Sequence, residues 1–240
     1  MKDFVDFHTH TLVSGHAYST MNEMTAAARE KGVAMYGITE HGPAMPGSCH
    51  RMHFGNLRII DRKAYGVELF MGVELNILDA KGTVDLEEAL LKEMDVTIAS
   101  LHVPCIENLG REANTEAVIN CIKNPYIDII GHPDDGHYPL DLKAVAQAAA
   151  EYKTLLEVNN HSLGPYSPRA NARENDRELL KWCMKYRTEI IIGSDAHIDR
   201  MVGAHEYAHA LLEEVGFPHE LIVNTDRERT RAHTKEYRNC

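Results

Sequence analysis

The sequence predicts an α/β fold, a TIM-like (β/α)7 barrel slightly short of eight units, and three observations support this prediction. Short apolar segments typical of buried strands alternate seven times with segments of helical periodicity. These strand segments are apolar almost throughout, as expected when both faces of a parallel sheet are covered. Nearly every one of them ends in His, Glu or Asp, and a barrel gathers the carboxyl ends of its strands on one face.

A doubly wound open sheet is the alternative architecture for the same alternation of strands and helices. It predicts a single crevice, located where the strand order reverses. Polar residues at nearly every strand end fit the barrel better, because a barrel brings all of these ends together. No linker, internal repeat or low-complexity segment interrupts the 240 residues, so we expect one domain over residues 1–240.

The first half of the chain is predicted to contain four strands, at residues 4–7, 34–39, 69–73 and 96–100. Thr20 and Glu23 have the capping-box spacing at the start of the first helix, and Gly32 stands where that helix would end. A long loop rich in Pro, Gly and His covers residues 42–56. Further helices are expected at residues 57–64, at residues 86–94 with Asp85 as N-cap, and at residues 115–123.

The second half is predicted to contain three more strands, at residues 127–130, 155–158 and 189–193. Asp141 precedes the helical periodicity of residues 142–152 and matches the N-cap preference for aspartate. Longer helical patterns cover residues 171–186 and 204–215. After the seventh strand we expect a short strand at residues 222–224 and a last helix at residues 226–237.

Histidine is the most informative part of the composition, with 15 residues in the chain. The formal net charge of −11 argues against a general nucleic-acid-binding surface, so we do not expect nucleic acid as a partner. The five cysteines, at positions 49, 105, 121, 183 and 240, lack metal or disulfide spacing and are expected to be free thiols. Without a signal-peptide pattern or a bilayer-spanning apolar run, the expected location is the cytoplasm, with no membrane partner.

The strand ends carry a set of potential metal ligands. His8 and His10 are two residues apart at the end of the first strand, so both project to the same face. Seven imidazoles and two carboxylates exceed the ligands of one tetrahedral ion and suit two or three ions, with Glu74 as a natural bridge. Imidazole-rich ligation without thiolates favours catalytic Zn, Fe or Mn. The candidate ligands are His8, His10, His41, Glu74, His102, His132, Asp195 and His197 at strand ends, together with His16 in the first loop.

Six segments of the chain carry a family resemblance. They are His8-Thr9-His10-Thr11, Ile38-Thr39-Glu40-His41-Gly42-Pro43, Gly72-Val73-Glu74, His102, Gly131-His132-Pro133 and Gly193-Ser194-Asp195-Ala196-His197. In this order they resemble the motifs of the PHP family (polymerase and histidinol phosphatase), over essentially the whole chain. The run from His16 to Thr20 and the pair Asn159-Asn160 are similar to the stand-alone bacterial phosphatases of the YcdX type, which have a trinuclear zinc site.

The resemblance implies a distorted seven-stranded barrel that holds three divalent ions, Zn in the first place and Fe or Mn as alternatives. The implied reaction is hydrolysis of a small phosphomonoester by a metal-bridging hydroxide, with Glu74 and Asp195 as catalytic residues. The substrate is therefore expected to be a small phosphorylated molecule. The implied ligands are His8, His10, Glu74 and Asp195 for the first ion, Glu74, His102 and His132 for the second, and His16, His41 and His197 for the third.

One position departs from the family pattern, since the chain has Glu40 where the family usually has Asp before the histidine. If Glu40 orients His41, its longer side chain affects the third ion. Arg51, Arg58 and Arg169 lie in or near loops predicted on the same face. Each is a candidate for phosphate binding, and each is as readily interpreted as a solvated charge.

Two other functions remain open. An amidohydrolase-type deaminase also begins with His-x-His on its first strand, but that resemblance requires a metal-bridging lysine where this chain has Glu74. A non-catalytic metal-binding PHP module is the second alternative, although such modules tend to lose ligands that this chain keeps. Cleavage of phosphodiesters would need an open groove with basic or stacking residues, which the acidic composition does not favour.

Overall fold

The computed structural model describes residues 3–234 and contains a seven-stranded sheet in which the strands follow chain order. Each strand is parallel to its neighbours, which confirms the predicted α/β architecture. The strands are β1 (Val5–Asp6), β2 (Met35–His41), β3 (Glu68–Asn76), β4 (Thr97–Ser100), β5 (Ile129–Ile130), β6 (Leu155–Asn159) and β7 (Ile190–Gly193).

Helices connect the strands, and the best predicted ones have a local capping signal. Thr20 and Glu23 form the expected capping box before α1, and Gly32 ends that helix in the left-handed conformation. The side chain of Asp141 accepts a hydrogen bond from Ala144 N and caps α5. The helices are α1 (Met21–Lys31), α2 (Met52–Asn56), α3 (Glu88–Leu91), α4 (Arg111–Ile122), α5 (Leu142–Tyr152), α6 (Ala172–Tyr186), α7 (Glu206–Glu214) and α8 (Arg227–Arg231).

The sheet curls into a nearly closed barrel, which excludes the open sheet. At the carboxyl end, a parallel bridge between Thr9 and Ala196 joins the segments that follow β1 and β7. Lower down, Asn224 stands between the two strands and is fully buried. Its side chain accepts from Ile192 N at 2.7 Å and donates to Ile192 O at 2.8 Å and Val5 O at 3.1 Å. A single amide side chain thus replaces the missing strand-to-strand hydrogen bonds.

The core consists of two apolar clusters. One combines buried side chains from all seven strand segments, including Phe7 and Phe70 with ring centroids 4.8 Å apart, so it fills the barrel interior. The other packs the helices against the outer face of the barrel. The apolar filling ends where the strand-end histidines begin, which leaves a polar site at the carboxyl end of the barrel.

Three predicted elements are wrong, and each error has a physical reason. The helix predicted at residues 57–64 is α2 followed by a 3₁₀ turn at Leu57–Ile59, so helical structure starts before the predicted boundary. Asp85 does not cap α3, because its carboxylate accepts from Asn76 N and Ala44 N, each at 2.9 Å, and joins the end of β3 to the loop after β2. Residues 222–224 form a bridge and a 3₁₀ turn, since Asn224 is needed between β1 and β7.

The last predicted helix is shorter than expected, because α8 ends at Arg231 and residues 235–237 lie outside the described residues. Cys240 lies outside them as well, whereas the other four cysteines are free, with Cys121 and Cys183 buried. Within residues 3–234, no helix is both long and apolar enough to cross a membrane.

Candidate metal centre

All nine predicted ligands meet in one cluster at the carboxyl ends of the strands. Glu74, on β3, is fully buried at the centre of this cluster. Its Oε1 atom lies 2.9 Å from His132 Nε2 and 3.1 Å from His102 Nε2. Its Oε2 atom lies 2.8 Å from His41 Nδ1 and 3.4 Å from His10 Nε2. Because Oε1 also lies 3.3 Å from His8 Nε2, both oxygens of this carboxylate face imidazoles, which is compatible with the predicted bridging role.

Glu74 is a carboxylate despite its burial. Burial acts to raise its pKa, but the surrounding imidazoles, His8 first among them, hold the pKa of Glu74 well below its ordinary value. Ser100 donates a further hydrogen bond to Oε1 at 2.7 Å. The centre of the site thus carries a fixed negative charge.

His102 has its ring fixed by a neighbour. Its Nδ1 atom lies 2.7 Å from Asn76 Oδ1, an acceptor, so Nδ1 carries the proton and Nε2 keeps its lone pair. That lone pair faces the Glu74 oxygen. Burial lowers the pKa of His102 to about 4. Near neutral pH, Nε2 therefore carries no proton that it could donate to the Glu74 oxygen. A lone pair opposite a carboxylate oxygen is an arrangement that a shared cation stabilises.

Glu157, on β6, is a functional residue that the sequence analysis missed. Its Oε1 atom lies 2.7 Å from His8 Nδ1, and its Oε2 accepts from His132 N at 2.8 Å. A carboxylate behind a histidine fixes the ring and increases its basicity as a metal ligand. The signal was present in the sequence, because Glu157 is the one acidic residue within the apolar segment 155–158.

Gly193 makes room for the Glu157 side chain, and Gly131 makes room for the side chain of Ser100. A Cβ atom on Gly193 would lie 2.0 Å from Glu157 Oε1, and one on Gly131 would lie 2.3 Å from Ser100 Oγ and 3.6 Å from Glu157 Oε2. Both glycines belong to the motifs on which the family resemblance rests. Gly193 lets the buried carboxylate reach His8, and Gly131 leaves space for the Ser100 hydroxyl that donates to Glu74.

The ligands that follow these glycines have strained backbones. His132 has φ of 31° and Asp195 has φ of 54°, both in the region that favours glycine. Asn and Asp adopt this conformation more readily than most residues, whereas His132 relies on its backbone hydrogen bond to Glu157. Strained residues of this kind cluster at functional sites, where surrounding contacts hold them in place.

Asp195 has one oxygen engaged by the protein and one turned towards the histidines. Its Oδ2 accepts from Arg169 Nη2 at 3.0 Å and from Asn159 Nδ2 at 3.2 Å. Its Oδ1 lies 3.4 Å from His10 Nε2 and 3.6 Å from His8 Nε2. Burial acts to raise the pKa of Asp195, but the cationic groups around it hold the pKa well below its ordinary value. Asp195 is thus a carboxylate with one free oxygen.

His16 and His197 form the outer edge of the cluster. Their Nε2 atoms are 3.0 Å apart, and the ring of His16 stacks on that of His41 with centroids 5.0 Å apart. Burial lowers the pKa of both His16 and His197. His16 is the more exposed of the pair, so the mouth of the site opens on this side.

Glu40 does not contact the His41 ring among the described hydrogen bonds. It accepts from Ser14 Oγ at 2.6 Å and from Thr11, and Ser14 Oγ is 3.1 Å from His10 Nδ1. The longer side chain of Glu40 therefore supports His10 through Ser14. It does not orient the His41 ring, which was the condition for an effect on the third ion.

The three predicted phosphate-binding arginines have different positions. Arg169 is buried beside Asp195, where Nη1 also donates to Asn159 Oδ1 at 3.2 Å and Ser162 Oγ at 3.1 Å. Arg51 forms an ion pair with Glu87 on the surface, and Arg58 is exposed on the 3₁₀ turn after α2. Only Arg169 among these three contacts a predicted ligand within residues 3–234.

The donor atoms of the cluster fit bound metal ions. Four of them, His8 Nε2, His10 Nε2, His41 Nδ1 and Glu74 Oε2, are buried without a hydrogen-bond partner among residues 3–234. Leaving them so costs free energy that coordination would recover. Three overlapping triads have ligand atoms within 4.8 Å of one another: His8, His10 and Glu74; His41, Glu74 and His102; and His10, His41 and His197. The cluster can therefore bind metal ions.

Two curated relatives resemble this chain over nearly its whole length. A protein of Acetivibrio thermocellus named "Probable phosphatase" is 47% identical over 229 residues, which cover 95% of this chain and 94% of that protein. A protein of Thermoanaerobacter sp. (strain X514), also named a probable phosphatase, is 44% identical over 237 residues, which cover 98% and 96%.

Two solved structures share the fold. Histidinol phosphate phosphatase of Lactococcus lactis, solved with zinc, L-histidinol and phosphate, matches with a TM-score of 0.58 at 19% identity, covering 89% of this chain and 94% of that one. A chain of archaeal ribonuclease P with mature tRNA matches with a TM-score of 0.60 at 15% identity, covering 97% and 91%. The family described as "PHP domain" matches residues 6–216, and the chain belongs to this PHP family.

Proposed function

We propose that this protein is a metal-dependent phosphatase that hydrolyses a small phosphomonoester at a site for three divalent ions. The observation that carries this proposal is the set of buried imidazole and carboxylate atoms that surround Glu74 without hydrogen-bond partners among the described residues. The names of the curated relatives support the phosphatase activity. The zinc, L-histidinol and phosphate bound by the Lactococcus lactis protein support the metal and the class of substrate.

The proposed ligands divide among three ions. The donor set contains imidazoles and carboxylates without thiolates, which favours zinc at a catalytic site. Glu74 would be shared by the first two ions, because its two oxygens face different imidazoles. The proposed ligands are His8, His10, Glu74 and Asp195 for the first ion, Glu74, His102 and His132 for the second, and His16, His41 and His197 for the third.

The residues around these ligands have positioning roles in the proposed reaction. When bound, the ions would lower the pKa of water and offset the negative charge of the phosphoryl group. Glu157 holds His8, Asn76 holds His102, and Arg169 holds the outer oxygen of Asp195. These contacts fix each ring or carboxylate before substrate arrives, so little reorganisation is needed during the reaction. We further infer that residues 1–240 act as one domain, which the continuous sheet supports.

Phosphate release from a panel of phosphomonoesters, measured with ammonia release in parallel, tests the proposal. We expect phosphate release by the zinc-loaded protein, with loss of turnover in His8→Ala and Asp195→Ala and retained far-UV circular dichroism. His219→Ala, at an exposed histidine far along the chain, is the matched control and should keep wild-type turnover. Ammonia release without phosphate release would identify a deaminase. No hydrolysis of any compound by the zinc-loaded protein would favour a non-catalytic module.

A further inference from the structure

A second group of potential metal ligands lies at the opposite end of β1 from the metal centre. Asp3 precedes β1, and His205 and His209 are one helical turn apart at the start of α7. The Asp3 Oδ2 atom is 2.8 Å from His205 Nδ1 and 2.6 Å from His209 Nε2. One potential ligand atom of each side chain lies within 4.8 Å of the other two. None of the three residues belongs to the cluster around Glu74.

Two atoms of this group are buried and have no hydrogen-bond partner in the part of the chain that the structure describes. They are Asp3 Oδ1 and His205 Nε2. The side chain of Asp3 is 10% exposed and that of His205 is 5% exposed. A buried carboxylate oxygen without a donor is unfavourable, and a bound cation would compensate for it.

Asp6 lies on the side of the His205 ring away from Asp3. Its Oδ1 atom is 3.8 Å from His205 Nε2. Ser194 Oγ and Gly203 N donate to its Oδ2 at 2.6 and 2.8 Å, so Asp6 is fixed. Histidine ligands commonly direct their second ring nitrogen towards a carboxylate, which sets the tautomer. The 3.8 Å contact is longer than a hydrogen bond, but it places a carboxylate beside Nε2 while Nδ1 faces Asp3.

We propose that Asp3, His205 and His209 form a second metal site for Zn²⁺ or a divalent ion of similar ligand preference. Two imidazoles and one carboxylate are an accepted ligand set for such ions, with water in the remaining position. The two carboxylates, Asp3 and Asp6, provide negative charge that balances the positive charge of the ion. The side chain of His209 is 25% exposed and gives the ion access from solvent.

An ion at this site would act on the stability of the fold. Asp3 and His205 are 202 residues apart in the chain, so the ion would tie the segment before β1 to α7. Binding to the folded state alone would stabilise the protein, because the unfolded chain does not hold the three ligands together. This inference is independent of the phosphatase proposal, since it involves no residue of the metal centre.

Zinc content of the intact protein tests the second site. The protein is stripped with a chelator, re-equilibrated with excess zinc chloride, desalted and measured by elemental mass spectrometry. We expect His209→Gln to hold one zinc equivalent fewer per chain than the wild type, with unchanged phosphatase turnover. Zinc should also raise the Tm of the wild type more than that of the variant. His219→Gln, at an exposed position, should keep the wild-type zinc content.

Equal zinc content in the wild type and His209→Gln would overturn the proposal and leave only hydrogen-bonded ion pairs. Asp3→Asn, which keeps the size of the side chain, is the second variant and should show the same loss of one equivalent. Titration of the stripped protein with Co²⁺ gives an independent measurement, because the visible absorption of the bound ion reports its ligands. We expect both variants to lack one component of the wild-type spectrum, and identical spectra would contradict the second site.

Discussion

The Nε2 atoms of His16 and His197 lie 3.0 Å apart, and the Nδ1 atom of each ring is bonded to a backbone carbonyl. A carbonyl can only accept, so both Nδ1 atoms carry the proton and both Nε2 lone pairs point at each other. A cation or a shared proton must lie between them. Burial lowers the pKa of both rings, which disfavours the proton near neutral pH.

This pair predicts a double-mutant result for metal binding. His16→Gln and His197→Gln should each weaken or remove one zinc equivalent, and the double variant should lose no more than either single variant, because both rings serve the same ion. Zinc content and isothermal titration of the chelator-stripped protein measure the effect. Additive losses in the double variant would show that the two histidines bind different ions.

Glu157→Gln should lower the zinc affinity of the metal centre about 10- to 100-fold. The glutamine amide keeps the shape of the carboxylate, but its NH₂ group must face either His8 Nδ1 or the two donors to Oε2, which are His132 N and Asn159 Nδ2. Titration with a competing chelator measures the affinity. Glu151→Gln, at an exposed position of α5, is the control and should bind zinc normally. Unchanged affinity in Glu157→Gln would remove the supporting role assigned to this carboxylate.

Gly193→Ala should destabilise the protein by about 1–3 kcal/mol, since the new Cβ overpacks a buried site. The Cβ would lie 2.0 Å from Glu157 Oε1 and 2.9 Å from His8 Cβ, so the zinc content should also fall. Urea denaturation measures the free energy of unfolding. Gly55→Ala in α2 is the matched control, because its Cβ would approach only Leu90, at 3.6 Å. A Gly193→Ala protein as stable as Gly55→Ala would contradict the close approach.

The stability of the metal-free protein should fall as the pH drops from 6.5 towards 4. Burial lowers the pKa of His102 from 6.5 to about 4, so in this range the unfolded state binds a proton that the folded state does not. The contribution of the neutral His102 to the free energy of unfolding is fully present above pH 6.5 and amounts to about 3 kcal/mol. Urea denaturation at several pH values, in the presence of a chelator, measures it. The free energy of unfolding of His102→Gln should fall less steeply with decreasing pH than that of the wild type. The same pH dependence in both proteins would count against a neutral buried His102.

Asn224→Ala should lower the free energy of unfolding by several kcal/mol, at about 1–3 kcal/mol for each buried backbone group left without a partner. The side chain accepts a hydrogen bond from Ile192 N and donates to Ile192 O and Val5 O. Thermal unfolding measures the change. Asn22→Ala, on the exposed face of α1, should unfold at the wild-type temperature. A small effect in Asn224→Ala would mean that water replaces the amide.

The sequence predicted the elements that carry their own local signals. The helices with a capping box or an aspartate N-cap, α1 and α5, have the predicted bounds, because these signals act within a few residues. The meeting of the proposed ligands was predictable because eight of the nine lie at the end of an apolar strand segment, whereas His16 lies in the first loop and was predicted with the help of the family resemblance. Asp85 misled the prediction because a distant pair of backbone groups, not the nearest helix, binds its carboxylate.

The residues that support the ligands could not be predicted in the same way. Glu157 and Asn76 act on histidines of other strands, so their roles depend on contacts across the barrel that no local pattern encodes. Ser14 contacts the His10 ring from the first loop, but nothing in the sequence distinguishes this serine from other polar loop residues. A single acidic residue in an apolar strand, as at Glu157, is the feature most worth seeking in such sequences.

The position of Asn224 sets a minimum length for any shortened version of this protein. The family match ends at residue 216, eight positions before the residue that fills the gap between β1 and β7. A gene that ended at that boundary would encode all the proposed ligands but a barrel that is incomplete between β1 and β7. The exposed strand edges could then pair with those of other molecules. If such a gene gave insoluble protein, the cause would be the missing contact between β1 and β7, because the proposed ligands themselves would be unchanged.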